Sequence, residues 1–544
     1  MNPLAAKYLE YYKKAYRDKR GQGICEMLDK CDLYWEGDVN HAKNDADPAS
    51  NVNIIHPNVE GQVAMLIEQN IAITALPQTP ADTELAETAR LVLEFIKDKN
   101  KLTRKLDVHE RRREKYGTGI LRVIYDPDAL GGAGLPIIEP CDNRRIFIDP
   151  CITDIYKTNE AEYIIETIPK SVHWARENFG EDKALKIKKN FYPEEGQLGT
   201  SDSYLHMLVW TLAGGKLRLV QMSGCGVILS DSGEGFYPEN RYPYFFTPLY
   251  YREDSVWGKG DVELLMPLQD LINDLDDQIR LSARLTGNPQ RLVSTGSGID
   301  LDALTNEAGL NIPVNDINAV KNLTPPELPA YIEERRNFAM QYETQRVSRF
   351  SDQMTGNKQQ GVITATEAMA LQQGGSMGIG HKKLILQETL SEVFEYCLAL
   401  VKEYWSREVA IRVTDKLDEF MFFRTSQFKN RPVLSEADPH YRRRFKKLHP
   451  EAREPQYMER PGEVRDAEFD IKVTVGAGLP TNRAFVYSMM MELTKEGMIT
   501  HEEMRRWLVN TMGIPVSSEA EENSQSELRQ QNAMSSTGRK EEEV

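Results

Sequence analysis

Between Ser348 and Gly375 the chain reads SRFSDQMTGNKQQGVITATEAMALQQGG, and at its centre Asn357, Lys358, Gln359 and Gln360 stand between Gly356 and Gly361. Three side-chain amides and one ammonium offer hydrogen bonds and a single positive charge, with no nucleophile and no acid–base pair. Such a loop makes soft polar contacts and does no bond chemistry. Its flanking glycines leave the backbone free to move. Elsewhere the patterns of catalysis are missing. LAGGKLRL lacks the first glycine and the hydroxyl of a phosphate-cradling P-loop, HEEMRR at His501 lacks the second histidine of a zinc protease helix, and no G-x-S-x-G elbow occurs. GAGLP at Gly476 follows a strand but carries Pro480 where a nucleotide-binding helix would open. The six cysteines, Cys25, Cys31, Cys141, Cys151, Cys225 and Cys397, form no Cys-x-x-Cys pair, and the nine histidines are scattered. Reduced, mostly buried thiols are expected, with no metal, no cofactor and no enzymatic activity. One strongly basic run, HYRRRFKKLHP from His440 to Pro450, reads as a solvated hairpin, a surface for ion pairs between subunits, or a phosphate-binding patch.

These residues sit in a chain of 544 residues, too long for one compact core and ordinary in composition at 40% hydrophobic and 28% charged. A formal net charge of −16 excludes a surface that grips phosphate backbones everywhere, so any contact with nucleic acid is local or weak. No stretch approaches the roughly 20 apolar residues that span a bilayer, and the N-terminus has no signal-peptide pattern; a soluble protein without membrane partners, made in a cytoplasm, is expected.

The periodicity predicts helix from Pro3 to about Asp38, then a second helical block from His56 to Lys101 with a turn at Leu76 to Pro80 and caps at Asp82 and Thr83. Short β-branched runs follow, from GILRVIYDP through the glycine-turned YLHMLVWTLAGGKLRLVQMSGCGVILSD, giving an α+β region to about residue 257. Leu264, Leu268, Leu271, Leu275 and Ile279 then repeat at helical spacing, and a helix from Asp261 to Leu285 is about 37 Å long. Residues 288–328 read as a strand (QRLVSTG), a short helix (IDLDALTNEAG) and an extended piece. A second helix opens at Pro329; its apolar content is thin, and Glu333, Glu334, Arg335, Arg336, Gln341, Gln345 and Arg349 make it polar enough to lie exposed or line something wet. After the opening loop come TATEAMALQQGG, a glycine-rich break, an apolar helix from His381, two strand regions, a last helical pair and an acidic tail predicted to be disordered.

Two long helices around a compact insert, then a loop and a further helix, resemble the portal proteins of tailed bacteriophages. The pieces that carry the resemblance are WEGD, NVNIIHPNVEGQVAMLIEQNIAITALP, YGTGILRVIYDP, RRIFIDPCITDI, GKGDVELLMPLQDLINDLDDQI, TATEAMALQQ and FDIKVTVGAGLPTNRA, in the family's order from about residue 35 to 512. The resemblance implies a mainly helical α+β portal fold with a wing at 1–257 and 363–485, stem helices at 258–287 and 329–350, and a small α/β clip at 288–328. It further implies a channel loop at 351–362, crown helices at 486–515 and the tail at 516–544.

It also implies a homo-oligomeric ring of twelve at one capsid vertex of the virion, assembled in the host cytoplasm, through which double-stranded DNA enters and leaves. Its implied partners are the terminase large subunit, a head-completion or adaptor protein, and the major capsid and scaffolding proteins. On that reading Asn357, Lys358, Gln359 and Gln360 touch the passing DNA, with Gly356 and Gly361 as hinges. The leucine series packs within and between subunits, and the polar series from Glu333 to Arg349 supplies candidates for the bore or for ion pairs between subunits. Clip strands such as QRLVSTG, unpaired in a monomer, would pair with a neighbour. Another virion structural protein, or a DNA-processing enzyme such as a nuclease, is the alternative.

Overall fold

Asn2 and Pro3 begin the first helix as capping chemistry requires: the Asn2 side chain accepts from the Leu4 amide at 3.0 Å, and proline stands where a helix lacks an acceptor for its amide. In the computed structural model of the chain, the described residues are 2–39, 50–67, 71–78, 82–194, 196–197, 202–237, 239–287, 291–294, 318, 320–322, 328–348, 365–405, 409–412, 420–429, 431–436, 439–448, 457–475, 491 and 494. The chain divides into two units, Met1–Val475 and Gly476–Val544. The expected closing helices and acidic tail, in the second unit, lie outside the described residues apart from residues 491 and 494.

The expected first helix is two, α1 (Pro3–Gly21) and α2 (Ile24–Glu36), split where Gly23 turns left-handed at φ 70°. Ala5, Tyr8, Leu9, Tyr12 and Ala15, spaced for one helical face, pack on a five-stranded antiparallel sheet through Phe147, Tyr163, Ile165, Met207 and Val220. Its strands are β4 (Ile146–Ile148), β5 (Tyr163–Ser171), β6 (Ser203–Ala213), β7 (Lys216–Ser223) and β8 (Ile228–Asp231), in the order β8-β7-β6-β5-β4. A second, three-stranded antiparallel sheet pairs β2 (Thr118–Asp126) between β3 (Leu135–Pro140) and β9 (Tyr244–Pro248). The mixture of helix and antiparallel sheet agrees with an α+β class.

Three further expectations change. The helical block from His56 is α3 (Ile55–Ile67), then a strand, β1 (Ile71–Pro77), then α4 (Thr83–Lys99). Strand β1 exists because β10 (Phe469–Val475), nearly 400 positions later, pairs with it antiparallel from Ile71 opposite Val475 to Pro77 opposite Phe469. Asp82 stands at the N-cap of α4, but its carboxylate makes no capping bond and is paired with Arg465. The glycine-rich break is also absent: α8 (Ala365–Tyr404) runs as one helix through Gly374, Gly375, Gly378 and Gly380. Interior glycines each cost a helix about 1 kcal/mol, and the buried stripe of Leu386, Leu390, Val393, Phe394 and Cys397 anchors the helix against that loss. The basic run, thirdly, is no hairpin but a helix, Pro439–Leu448, between two paired strands.

Candidate functional site

Two of the sequence pieces meet at one joint. In YGTG, Gly117 ends α5 (Leu102–Tyr116) at φ 83°, and in GKGD, Gly258 and Gly260 lie against it. A Cβ on Gly117 would stand 2.4 Å from the Gly258 carbonyl oxygen, and one on Gly260 would stand 2.6 Å from the Lys115 oxygen, so only backbones without side chains fit. The Gly258 amide donates to Thr118 Oγ1 at 2.8 Å, and the Leu249 amide to the Gly117 oxygen at 2.8 Å. From this joint the helix α6 (Asp261–Gly287) starts.

Its first residue is held by buried charge. Lys382 Nζ, on α8, reaches Asp261 Oδ2 at 2.8 Å, Glu114 Oε2 at 2.7 Å and Gln62 Oε1 at 2.6 Å, with Lys382 only 2% exposed. Arg113 donates to the Lys382 carbonyl oxygen at 3.1 Å and to Glu110 Oε2 at 2.5 Å. Burial raises the Glu114 carboxyl to about 7, with the Asp261 charge adding to the rise and Lys382 and Arg113 opposing it. Burial works against the Lys382 ammonium, yet Glu114 and Asp261 outweigh it and keep it above the ordinary lysine range. Four segments, α3, α5, α6 and α8, are thus tied at one point.

Alongside α6 runs α7 (Ala330–Phe338), which continues through a π-turn, Ala339–Glu343, into Thr344–Ser348. Thr344 Oγ1 donates to the Ala339 oxygen at 3.1 Å in that turn. Ala339 is buried with Val262, Leu265, Met266, Leu268 and Ile272 of α6 and with Val59 and Val63 of α3.

The structure distributes the expected residues as follows. Leu268 and Leu275 are buried, whereas Leu264, Leu271 and Ile279 are half-buried. The buried face of α6 is Val262, Leu265, Met266, Leu268, Ile272 and Leu275, with the polar Gln269 and Asn273 accepting from the amides of Ile54 (2.9 Å) and Val52 (3.2 Å). Glu333, Glu334 and Gln341 are exposed, and Arg335, Arg336 and Gln345 half-buried. Arg336 is paired with Asp276 across the two helices, and Arg335 with Glu343 at 3.0 Å along one of them. Gly356, Asn357, Lys358, Gln359, Gln360, Gly361 and Arg349 lie outside the described residues. The QRLVSTG strand, Arg291–Val293, pairs within the chain with Val320–Asn322, and the expected helix between them lies outside the described residues.

Sequence reasoning missed Lys382 and Glu114. The signal for Lys382 is its place on a buried stripe, between Ile379 and Leu386, where a lysine occurs only with carboxylates facing it. Among the described residues no cluster of three or more His, Cys, Asp or Glu side chains is arranged to hold a metal ion, and no helix is long and apolar enough to cross a membrane.

Residues 210–422, from within β6 through the glycine joint, both packed helices and α8, match the family model described as phage SU10 portal protein. The chain resembles the phage portal proteins. The match takes in Lys382, Asp261 and the whole of the expected loop at 351–362, but not Glu114 or the basic helix. No curated protein matches the chain.

Proposed function

We propose that the chain is a subunit of a phage portal: a ring at one capsid vertex through which double-stranded DNA is packaged and released. The observation that carries this is the portal family match over residues 210–422, the stretch that contains the two packed helices and residues 351–362. The exposed aromatic stripe of α7 supports association. Tyr331 is 67%, Phe338 46% and Tyr342 59% exposed, and the Phe338 and Tyr342 rings meet at 5.3 Å. A neighbouring copy seated on these rings removes them from water.

Asn357, Lys358, Gln359 and Gln360 form the soft constriction around the DNA, hinged at Gly356 and Gly361. A polyanion slides past amides and one ammonium per subunit with little to hold it, whereas a ring of arginines would act as a brake. The ring has twelve subunits, sits among the major capsid and scaffolding proteins, and presents residues 288–328 first to the terminase large subunit and then to a head-completion or adaptor protein. The test is packaging with the triple variant Lys358→Ala, Gln359→Ala, Gln360→Ala. Rings form as before while packaged or retained DNA falls several-fold; packaging at the parental yield removes the loop from the DNA path.

A further inference from the structure

The basic helix Pro439–Leu448 has no part in the reading above, and its setting is unusual for so acidic a chain. It is carried on a two-stranded antiparallel ribbon, Arg431–Glu436 with Tyr457–Arg465. At one end Arg431 stands opposite Arg465, which is paired with Asp82, and the Ala467 amide donates to the Phe428 oxygen at 2.8 Å. At the other end, past an irregularity between Pro432 and Leu434, Glu436 stands opposite Tyr457, and the basic helix lies in the chain between these two residues. The helix therefore lies in the chain between two paired strands, and the Arg431–Arg465 end of that ribbon is tied to the body through Asp82.

What it displays is cation. Arg443, Arg444 and Lys447 are exposed, and none is paired with an acid among the described residues. At about 100° per residue the three fall within one ~100° sector of the helix. Arg442 and Phe445 are half-buried. By contrast many arginines of the body, among them Arg90, Arg111, Arg122, Arg144, Arg218 and Arg252, lie against carboxylates. Like charges at i and i+4, such as Arg443 and Lys447, oppose helix formation. A run of them kept on one face, in a chain with 83 acidic residues available to neutralise it, marks a surface whose counter-charge comes from outside. Two adjacent guanidiniums favour phosphate oxygens, which they meet with two parallel hydrogen bonds, over the single-point contact that suffices for lysine.

We propose that the helix Pro439–Leu448 is a phosphate-backbone contact for double-stranded DNA, made through Arg443, Arg444 and Lys447 and separate from the loop at 351–362. It reads no sequence, since three side chains on one short helix face grip phosphates and not base edges. It goes beyond the portal reading, and ring formation does not depend on it.

The test is fluorescence anisotropy of a labelled mixed-sequence duplex titrated with the full chain between roughly 50 and 200 mM salt. The triple variant Arg443→Ala, Arg444→Ala, Lys447→Ala is expected to lose at least about tenfold in affinity at the low-salt end. Its slope of log K against log salt should flatten by about 2 to 3, at ~0.9 per phosphate. Arg443→Lys with Arg444→Lys keeps the slope, and because the three side chains are exposed the melting temperature of the alanine variant stays at the parental value. Parental affinity and slope in the alanine variant overturn the proposal. So does equal competition by polyglutamate at matched charge, which would make the helix a docking face for acidic protein. Rings that form in the alanine variant with its DNA binding gone uphold both readings; rings with DNA binding unchanged leave the portal standing and remove this site.

Discussion

Glu114, Glu110 and Asp261 place three carboxylates in the interior against two fixed cations, Arg113 and Lys382, with His109 beside Glu110 at 2.8 Å. Glu114 bears the consequence: burial and the Asp261 charge raise its carboxyl to about 7, against Lys382 and Arg113, with the Tyr250 ring 5.6 Å from the Lys382 ammonium closing the site. A carboxyl whose folded-state value is raised contributes stability that is complete below its unfolded value near 4.5 and is lost as pH rises through about 7. Glu114→Gln removes that titration. The stability difference between parent and variant therefore shifts against the parent from pH 4.5 to 7, measured by denaturant unfolding at a series of pH values. A difference constant across that window means Glu114 is ionised throughout. This charge cluster was the least legible part of the site. Each member is an ordinary charged residue in its own segment, and only the fold brings segments 320 positions apart onto Lys382.

At the scale of elements, local pattern was legible wherever the segment supplies its own reasons to fold. The antiparallel strands between residues 203 and 231 carry their turns with them, and α6 declares itself by periodicity. Its phase did not follow from the leucines alone. Leu264, Leu271 and Ile279 are half-buried while Leu265, Met266 and Ile272 are inside, because Gln269 and Asn273 must also face inward to serve the backbone at residues 52–54. Leu265→Ala should thus cost the isolated chain about 2–5 kcal/mol. Leu264→Ala should cost about half as much or less, as its side chain keeps part of its hydration. Equal losses in thermal or denaturant melts would place the buried face where the leucine spacing alone puts it. Strand β1 was illegible for a different reason. IAITALP follows a helix and precedes another, and the partner that makes it a strand, Phe469–Val475, is remote in sequence. The helix of the basic run was hidden in turn by its own repulsion, which argues against helix until the ribbon that holds it is known.

For the whole molecule, the order of the pieces carried more than any one of them. No motif of catalytic strength occurs, yet YGTG and GKGD meet at a joint of glycines, and the family match spans the helices that leave it. The chain alone leaves Tyr331, Phe338 and Tyr342 in water, and the proposed portal answers where they go. The central claim is assembly around a hole, and the most direct measurement is negative-stain imaging of the purified chain with its native mass determined alongside. We expect rings of about twelve copies with an axial opening, and the triple variant Tyr331→Ser, Phe338→Ser, Tyr342→Ser is expected to remain folded but fail to close them. A parent chain that stays monomeric at high concentration, with and without its scaffolding protein, would contradict the account.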